Sequence, residues 1–412
     1  MLSFNTFLTE GKEGKNLHME HIEDSVLNLG VKGTREAINF MRNVRDMLAG
    51  NSQKKVDITV KWDGAPAIFA GIDPSDKKFF VAKKGIFNKN PKLYKTPAEV
   101  DADTSGDLAD KLKACLKYLP EIGITGVIQG DLLYTQNDLK TTTIDDVDYV
   151  TFHPNTIVYA VPTDNPLAKK IQGAKLGIVW HTQYEGSSLE TMKAAFGKDV
   201  TSSLKQTKNV WFTDVNYQDV SGKATMTASE TAKVTEILSQ AGKLFYKTDA
   251  TTLNTISDDE ELLMRIKTFN NTKVRNQEKI TNVKKHVTEL ISYIDGIYNK
   301  EIESKKSAAG KASSQQKAQR ILSFFSAKNK QNLENIFTIM NLLVDAKHIL
   351  IDKLNELKSL HTFLLTKDGY AVTGVEGYVA IDKLSGNAVK LVDRMTFSYS
   401  NFSPNVIKGW QR

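Results

Sequence analysis

The sequence predicts an α+β protein on three observations: strand-like period-two runs in its first part, a long helical stretch after them, and further strand-like runs near its end. Val56, Ile58 and Val60 alternate with Asp57, Thr59 and Lys61, so a half-buried strand ends at Lys61. Asp63-Gly64, followed by Pro66, is turn chemistry, and Ala67–Gly71 reads as the returning strand. Before this hairpin, residues 34–48 read as a helix with Ala37, Phe40, Met41, Val44 and Leu48 on its apolar face. Phe79–Ala82, Gly126–Leu133 and Thr156–Ala160 are the next strand-like runs.

Residues 224–364 are predicted to be a helical subdomain, far longer than a connecting loop. Ile280, Val283, Val287, Leu290, Ile294 and Ile297 recur at helical spacing, as do Leu333, Ile336, Met340, Leu343, Leu350, Leu354 and Leu357, with Lys347 interrupting the second series. Between these two helices, residues 304–316 lack large apolar side chains and are expected to form an exposed, mobile tip. Residues 273–330 hold thirteen Lys or Arg against five Asp or Glu, whereas the whole chain of 412 residues has 55 against 48. Such a basic helical arm predicts a clamp on a phosphate backbone, with Lys284, Lys285, Lys305 and Lys306 as contacts. A solvated helix face is the alternative.

Five short segments fall in a recognisable order. Lys61-Trp62-Asp63-Gly64 is followed by Phe79–Gly85, with Lys83 and Lys84, and then by Gly126–Leu133, with Asp131. Glu376-Gly377-Tyr378-Val379 and Val389–Arg394, with Lys390, close the series. The set resembles the covalent nucleotidyltransferase superfamily of ATP-dependent DNA and RNA ligases and capping enzymes. Asp131 stands where that family has glutamate, Val392 replaces a second lysine, and Arg394 comes two residues late. Only eighteen residues follow Arg394, fewer than an oligonucleotide-binding barrel requires, so the likeness is to RNA ligases, many of which lack that barrel.

The resemblance implies an ATP-grasp-like antiparallel-sheet core made from residues 11–223 and 365–412, with residues 224–364 inserted as a basic helical subdomain. It implies that Lys61 becomes adenylylated by ATP with Mg²⁺, and that the AMP then activates a polynucleotide end for joining. A lysine amine attacks only when neutral, which nearby cations, a metal or desolvation promote. By the same resemblance Lys84, Lys390 and Arg394 contact phosphates and Asp63 and Gly64 shape the turn. Asp131 and Glu376 hold metal or ribose, and Tyr159 is the stacking position for adenine, with a place in the core as the other reading of that residue. A packaged nucleic-acid-binding protein on a decayed ligase fold, and transfer of AMP to another acceptor, remain open at this stage.

Met1–Glu10 resembles the leaders of proteins packaged in tailed-bacteriophage proheads, with a prohead-protease cut expected after Glu10; an amphipathic terminal helix bearing Phe4, Phe7 and Leu8 is the other reading. The leader implies passage in the capsid with the packaged genome and action in the cytoplasm of an infected cell. His18 and His21, three residues apart, make a poor zinc site without a third ligand and are read as a helix start or a lining of the active site. His153 and His181 fall near predicted strand ends, in reach of substrate. A single cysteine, Cys115, excludes an internal disulfide and is compatible with a reducing cytoplasm, and no apolar run reaches a membrane span.

Overall fold

The computed structural model describes residues 21–50, 56–88, 90–195, 200–215, 226–355, 361–373, 377–382 and 388–411. The leader, His18 and Glu376 lie outside them. In chain order the strands are β1 (Val56–Lys61), β2 (Ala67–Ile72), β3 (Phe79–Ala82), β4 (Val127–Thr135), β5 (Lys140–Ile144), β6 (Val147–Phe152), β7 (Ile157–Pro162), β8 (Leu176–Glu185), β9 (Lys193–Ala195), β10 (Val210–Asp214), β11 (His361–Thr366), β12 (Gly369–Val372), β13 (Gly377–Asp382) and β14 (Ala388–Leu391). The principal helices are α1 (Gly30–Leu48), α2 (Pro97–Asp103), α3 (Gly106–Tyr118), α4 (Pro166–Gly173), α5 (Ala228–Lys247), α6 (Ala250–Asp258), α7 (Glu260–Arg275), α8 (Val283–Ser304), α9 (Ala308–Ser323), α10 (Ala327–Asn355) and α11 (Arg394–Phe402).

The strands form three sheets, as expected of an α+β chain. One sheet has the order β10-β8-β4-β2-β3, with β9 on the side of β8; its pairs are antiparallel except β10 with β8. One of its faces buries Ile68, Ala70, Leu132, Ile178 and Trp180 together with Leu112 and Cys115 of α3. The second sheet, β12-β11-β7-β6-β5, is wholly antiparallel. Tyr134 and Val179 of the first sheet meet Val150, Phe152 and Tyr159 of the second in a shared core. The third sheet is the smallest, β1-β13-β14. It joins an early strand to two late ones, so the chain passes through the whole helical region before the sheet is complete.

Helices α5–α10 lie within the predicted 224–364. Thr227 opens α5 through a reciprocal capping box with Glu230, and Asp259 caps α7 by accepting from the Glu261 and Leu262 amides. Val287, Leu290, Ile294 and Tyr298 form the buried stripe of α8, and Leu333, Ile336, Met340, Leu343, Leu350 and Leu354 that of α10. The tip expected at 304–316 is largely exposed but largely helical: Ser307 caps α9 by accepting from the Gly310 amide, and Ala318 and Ile321 bury its thin apolar side. Nor is the helical region an arm. It encloses the most extensive hydrophobic core, together with α1 and with Tyr378 and Leu391 from the back of the third sheet. The Tyr378 hydroxyl donates to Asn355 Oδ1 at 2.8 Å, tying that sheet to the end of α10.

Lys347, the break in the apolar register of α10, is wholly buried and donates to both carboxylate oxygens of Glu23 at 2.8 Å. Burial pushes the Glu23 carboxyl up, but Lys347 and then His21 more than offset this and hold it below its ordinary value. Removing one partner strands a buried charge, whereas replacing both with apolar groups removes two desolvation penalties. Glu23→Ala is therefore expected to lower unfolding free energy by roughly 3–5 kcal/mol, and Glu23→Leu with Lys347→Met to restore most of it, as read by urea denaturation.

His286 is buried, with Nε2 2.9 Å from Asn270 Oδ1 and its ring edge-on to Phe337. Burial, aided by Lys273, lowers its pKa from 6.5 to about 4. Between those values the unfolded chain binds a proton that the folded one does not, so stability falls as pH drops through this window. The expected outcome is a melting temperature that declines from pH 6.5 to 4 less steeply in His286→Gln than in the parent.

Candidate active site

Lys61 stands at the end of β1, where the predicted strand runs into its turn. In the third sheet Val60 pairs with Tyr378, which pairs with Leu391; Lys61 pairs with Gly377, and Val379 pairs with Lys390. Val60, Tyr378 and Leu391 face the helical core. Because successive strand side chains alternate sides, Lys61 and Lys390 both emerge on the opposite face. Two regions of the sequence more than three hundred residues apart, β1 and the β13–β14 pair, thus contribute to one surface.

The turn after Lys61 is fixed from two sides. Asp63 is buried, and its carboxylate accepts from Asn155 Nδ2, the Thr156 amide and hydroxyl, and the Ile157 amide at 2.5–2.7 Å. The Asp63 amide donates to the Tyr159 hydroxyl at 2.6 Å. On the other side, a Cβ at Gly64 would lie 2.5 Å from Asp131 Cβ and 3.0 Å from the Leu132 carbonyl, so only glycine allows this approach. The Ala65 amide donates to the Leu132 carbonyl at 2.9 Å and the Leu132 amide to Pro66 at 3.0 Å. The turn therefore carries the chain from Lys61 to the strand that bears Asp131.

Asp131 lies on β4 opposite Ala67, and a register shift on β8 beside Gly130 re-aims His181, whose Nε2 is 3.7 Å from Asp131 Oδ2. Both side chains are one-quarter exposed. Among the described residues no three His, Cys, Asp or Glu side chains gather as a metal cage. Mg²⁺ carried on nucleotide phosphates needs only one or two protein carboxylates, a role that Asp131 fits. Lys84 is exposed just beyond β3, while neighbouring Lys83 is committed to Asp103 at 3.0 Å.

Two sequence assignments change, and of the two readings of Tyr159 the core one holds. Tyr159 is buried, flanked by Trp62 at 5.1 Å and stacked on Phe152 at 5.3 Å between ring centroids, and its hydroxyl serves Asp63; it is a core residue rather than a platform for adenine. Arg394 donates to Asp24 at 2.8 Å and Asn271 at 2.6 Å, so its guanidinium clamps the start of α11 to the helical region instead of reaching a phosphate. The four lysines of the expected clamp do not form one patch. Exposed Lys284 and Lys285 begin α8 and exposed Lys305 and Lys306 follow its end, about 30 Å apart for a helix of this length. Lys317, Arg320 and Lys328 of the same basic run are neutralised by Glu261, Asp259 and Asp249.

Val392 has a clear structural role. It is buried, and its side chain fills the space against Gly377, whose φ of 143° and missing Cβ, 2.4 Å from Val392 Cγ2, admit it. Sequence reasoning passed over Phe397, which lies beside Lys61. The Lys61 amine lies 6.0 Å from the centre of the Phe397 ring on α11. His21 meets that ring edge-on at 6.4 Å and bridges to the Lys390 backbone, and burial lowers its pKa to about 3, so it is neutral at physiological pH. Of the two readings the sequence offered for His21, a helix start or a lining of the active site, its contact with Phe397 agrees with the second. His153 is buried, with its carbonyl against Gly409.

The Asp63 carboxylate acts on the turn rather than on a ligand. Asp63→Ala leaves its buried donors unmatched and is expected to cost about 3 kcal/mol or more, measured as a lowered urea midpoint.

No curated protein and no solved structure matches the chain. A family model covers residues 16–406, nearly the whole chain and every described element that carries the site. The protein belongs to that family, described as a family of unknown function (DUF6267).

Proposed function

We propose that the protein is a nucleotidyltransferase of the RNA-ligase type, forming a covalent lysyl-nucleotide at Lys61 from ATP. The observation that carries this reading is the placement of Lys61 and Lys390 on one face of a sheet whose strands come from opposite ends of the chain. A phosphoryl transfer asks for positioning and for fixed positive charge more than for protein covalent chemistry. Here the turn held by Asp63 and Gly64 supplies the positioning, and Lys390 supplies charge.

In the proposed step the neutral Lys61 amine forms a nitrogen–phosphorus bond with the α-phosphorus of ATP. The bond to pyrophosphate breaks with its electron pair, and the surplus proton on nitrogen leaves to solvent. Lys390 stabilises charge on the phosphoryl oxygens, and Phe397 shields the amine from water. Mg²⁺ bound with the nucleotide would neutralise the pyrophosphate, with Asp131 as its protein ligand. The lysyl-AMP then passes AMP to the 5′-phosphate of a polynucleotide, whose partner end displaces it.

A specific observation favours a second reading. With Val392 buried and Arg394 bound to Asp24, β14 presents Lys390 with no second cation after it, as in a fold that binds anions without transferring them.

Incubation with α-labelled ATP and Mg²⁺ separates the two. The expected result is a protein-bound label absent in Lys61→Ala and formed about 10²-fold more slowly in Lys390→Ala. Folded wild-type protein that takes up no label would sink the transfer reading and leave salt-sensitive polynucleotide binding as the activity to measure.

A further inference from the structure

The C-terminal segment after α11 returns to the Lys61 turn. Its Ile407 amide donates to Leu365 at 2.9 Å, and its Gly409 amide to Asn155 at 2.7 Å. Asn155 is the residue whose side chain donates to Asp63. A Cβ at Gly409 would lie 2.0 Å from the His153 carbonyl, so the segment presses directly on the loop that holds Asp63. Between these two anchors stands Lys408, only 8% exposed.

An ammonium group has three donors, and a buried one needs all of them matched. Among the described residues Lys408 Nζ makes one hydrogen bond, to the Ser400 carbonyl, and senses the Asp63 carboxylate through space. Asp63 is already engaged by the amides of Thr156 and Ile157 and by the Asn155 and Thr156 side chains. Burial holds the Lys408 amine below its ordinary value, the signature of an incompletely compensated cation. Ser400 lies one turn beyond Phe397 on α11, the ring over which the Lys61 amine sits.

We propose that Lys408 is an anion-binding residue of the Lys61 site, donating to a phosphate oxygen of the bound nucleotide. The proposal rests on the nucleotidyl-transfer reading for the identity of the ligand, and it gives the site a second cation beside Lys390. The cation is delivered by the C-terminal segment, whereas β14 uses the position after Lys390 and Leu391 for packing against Gly377.

The test is calorimetric titration of the full chain with ATP and, separately, with inorganic tripolyphosphate. It is made in a Lys61→Ala background so that no covalent step contributes, and failure of the labelling assay on wild-type protein is thereby kept apart from failure here. Lys408→Gln retains a donor for the Ser400 carbonyl and loses the charge. It is expected to weaken both ligands by at least roughly tenfold, the worth of one charge-assisted hydrogen bond. Lys408→Arg is expected to stay within about threefold of the parent, since the charge remains. Unchanged binding in Lys408→Gln overturns the proposal, as does a parent that binds neither ligand. Collapse of the fold in Lys408→Gln also overturns it, by assigning the amine to Asp63 alone.

Discussion

Backbone pairing between β1 and β13 is the constraint on which the rest of this architecture depends. Lys61 and Gly377 are register partners although more than three hundred residues separate them. Such a contact carries a large loop-closure cost, and the chain meets it by folding the intervening residues into a helical core that grips the back of the same sheet through Tyr378 and Leu391. The helical region is thus the foundation of the Lys61 surface and does not hang beside it.

A second constraint acts at close range. The segment Trp62–Pro66 is held between two sheets, with Asp63 bound to the β6–β7 loop and Gly64 laid against Asp131 of β4. A four-residue pattern is therefore enough to couple the small sheet to both larger ones. Asp63 contributes geometry and Gly64 contributes absence of bulk, which explains why neither could be exchanged for a chemically similar residue without moving Lys61.

The parts legible in the sequence are those decided locally. The strand ending at Lys61, the turn at Asp63-Gly64 and the amphipathic stripes of α8 and α10 all follow from period and turn chemistry over a few residues. Lys347 was visible as a break in a stripe, and its partner, Glu23, was not, because ion pairing across such a distance leaves no periodic trace. Tyr159 was left between two readings and Arg394 was misread for the same reason: whether an aromatic faces ligand or core, and where a guanidinium turns, depends on neighbours from remote segments. The helix α9 was missed because its Ala, Gln, Lys and Arg residues favour helix without marking an apolar face. Phe397 and Lys408 carried no motif at all; only the path of the chain after β14 brings Phe397 to the Lys61 amine and Lys408 to Ser400 on the same helix.

The completion of the small sheet by β13 and β14 has a consequence for biosynthesis. The two strands that finish the small sheet are translated after Lys61, after helices α1–α10 and after every strand of both larger sheets. A nascent chain halted anywhere before residue 377 would carry the amine without its ladder partners. Register at Lys61 is thereby set only once translation has passed β13, and a product truncated before that strand lacks the sheet altogether.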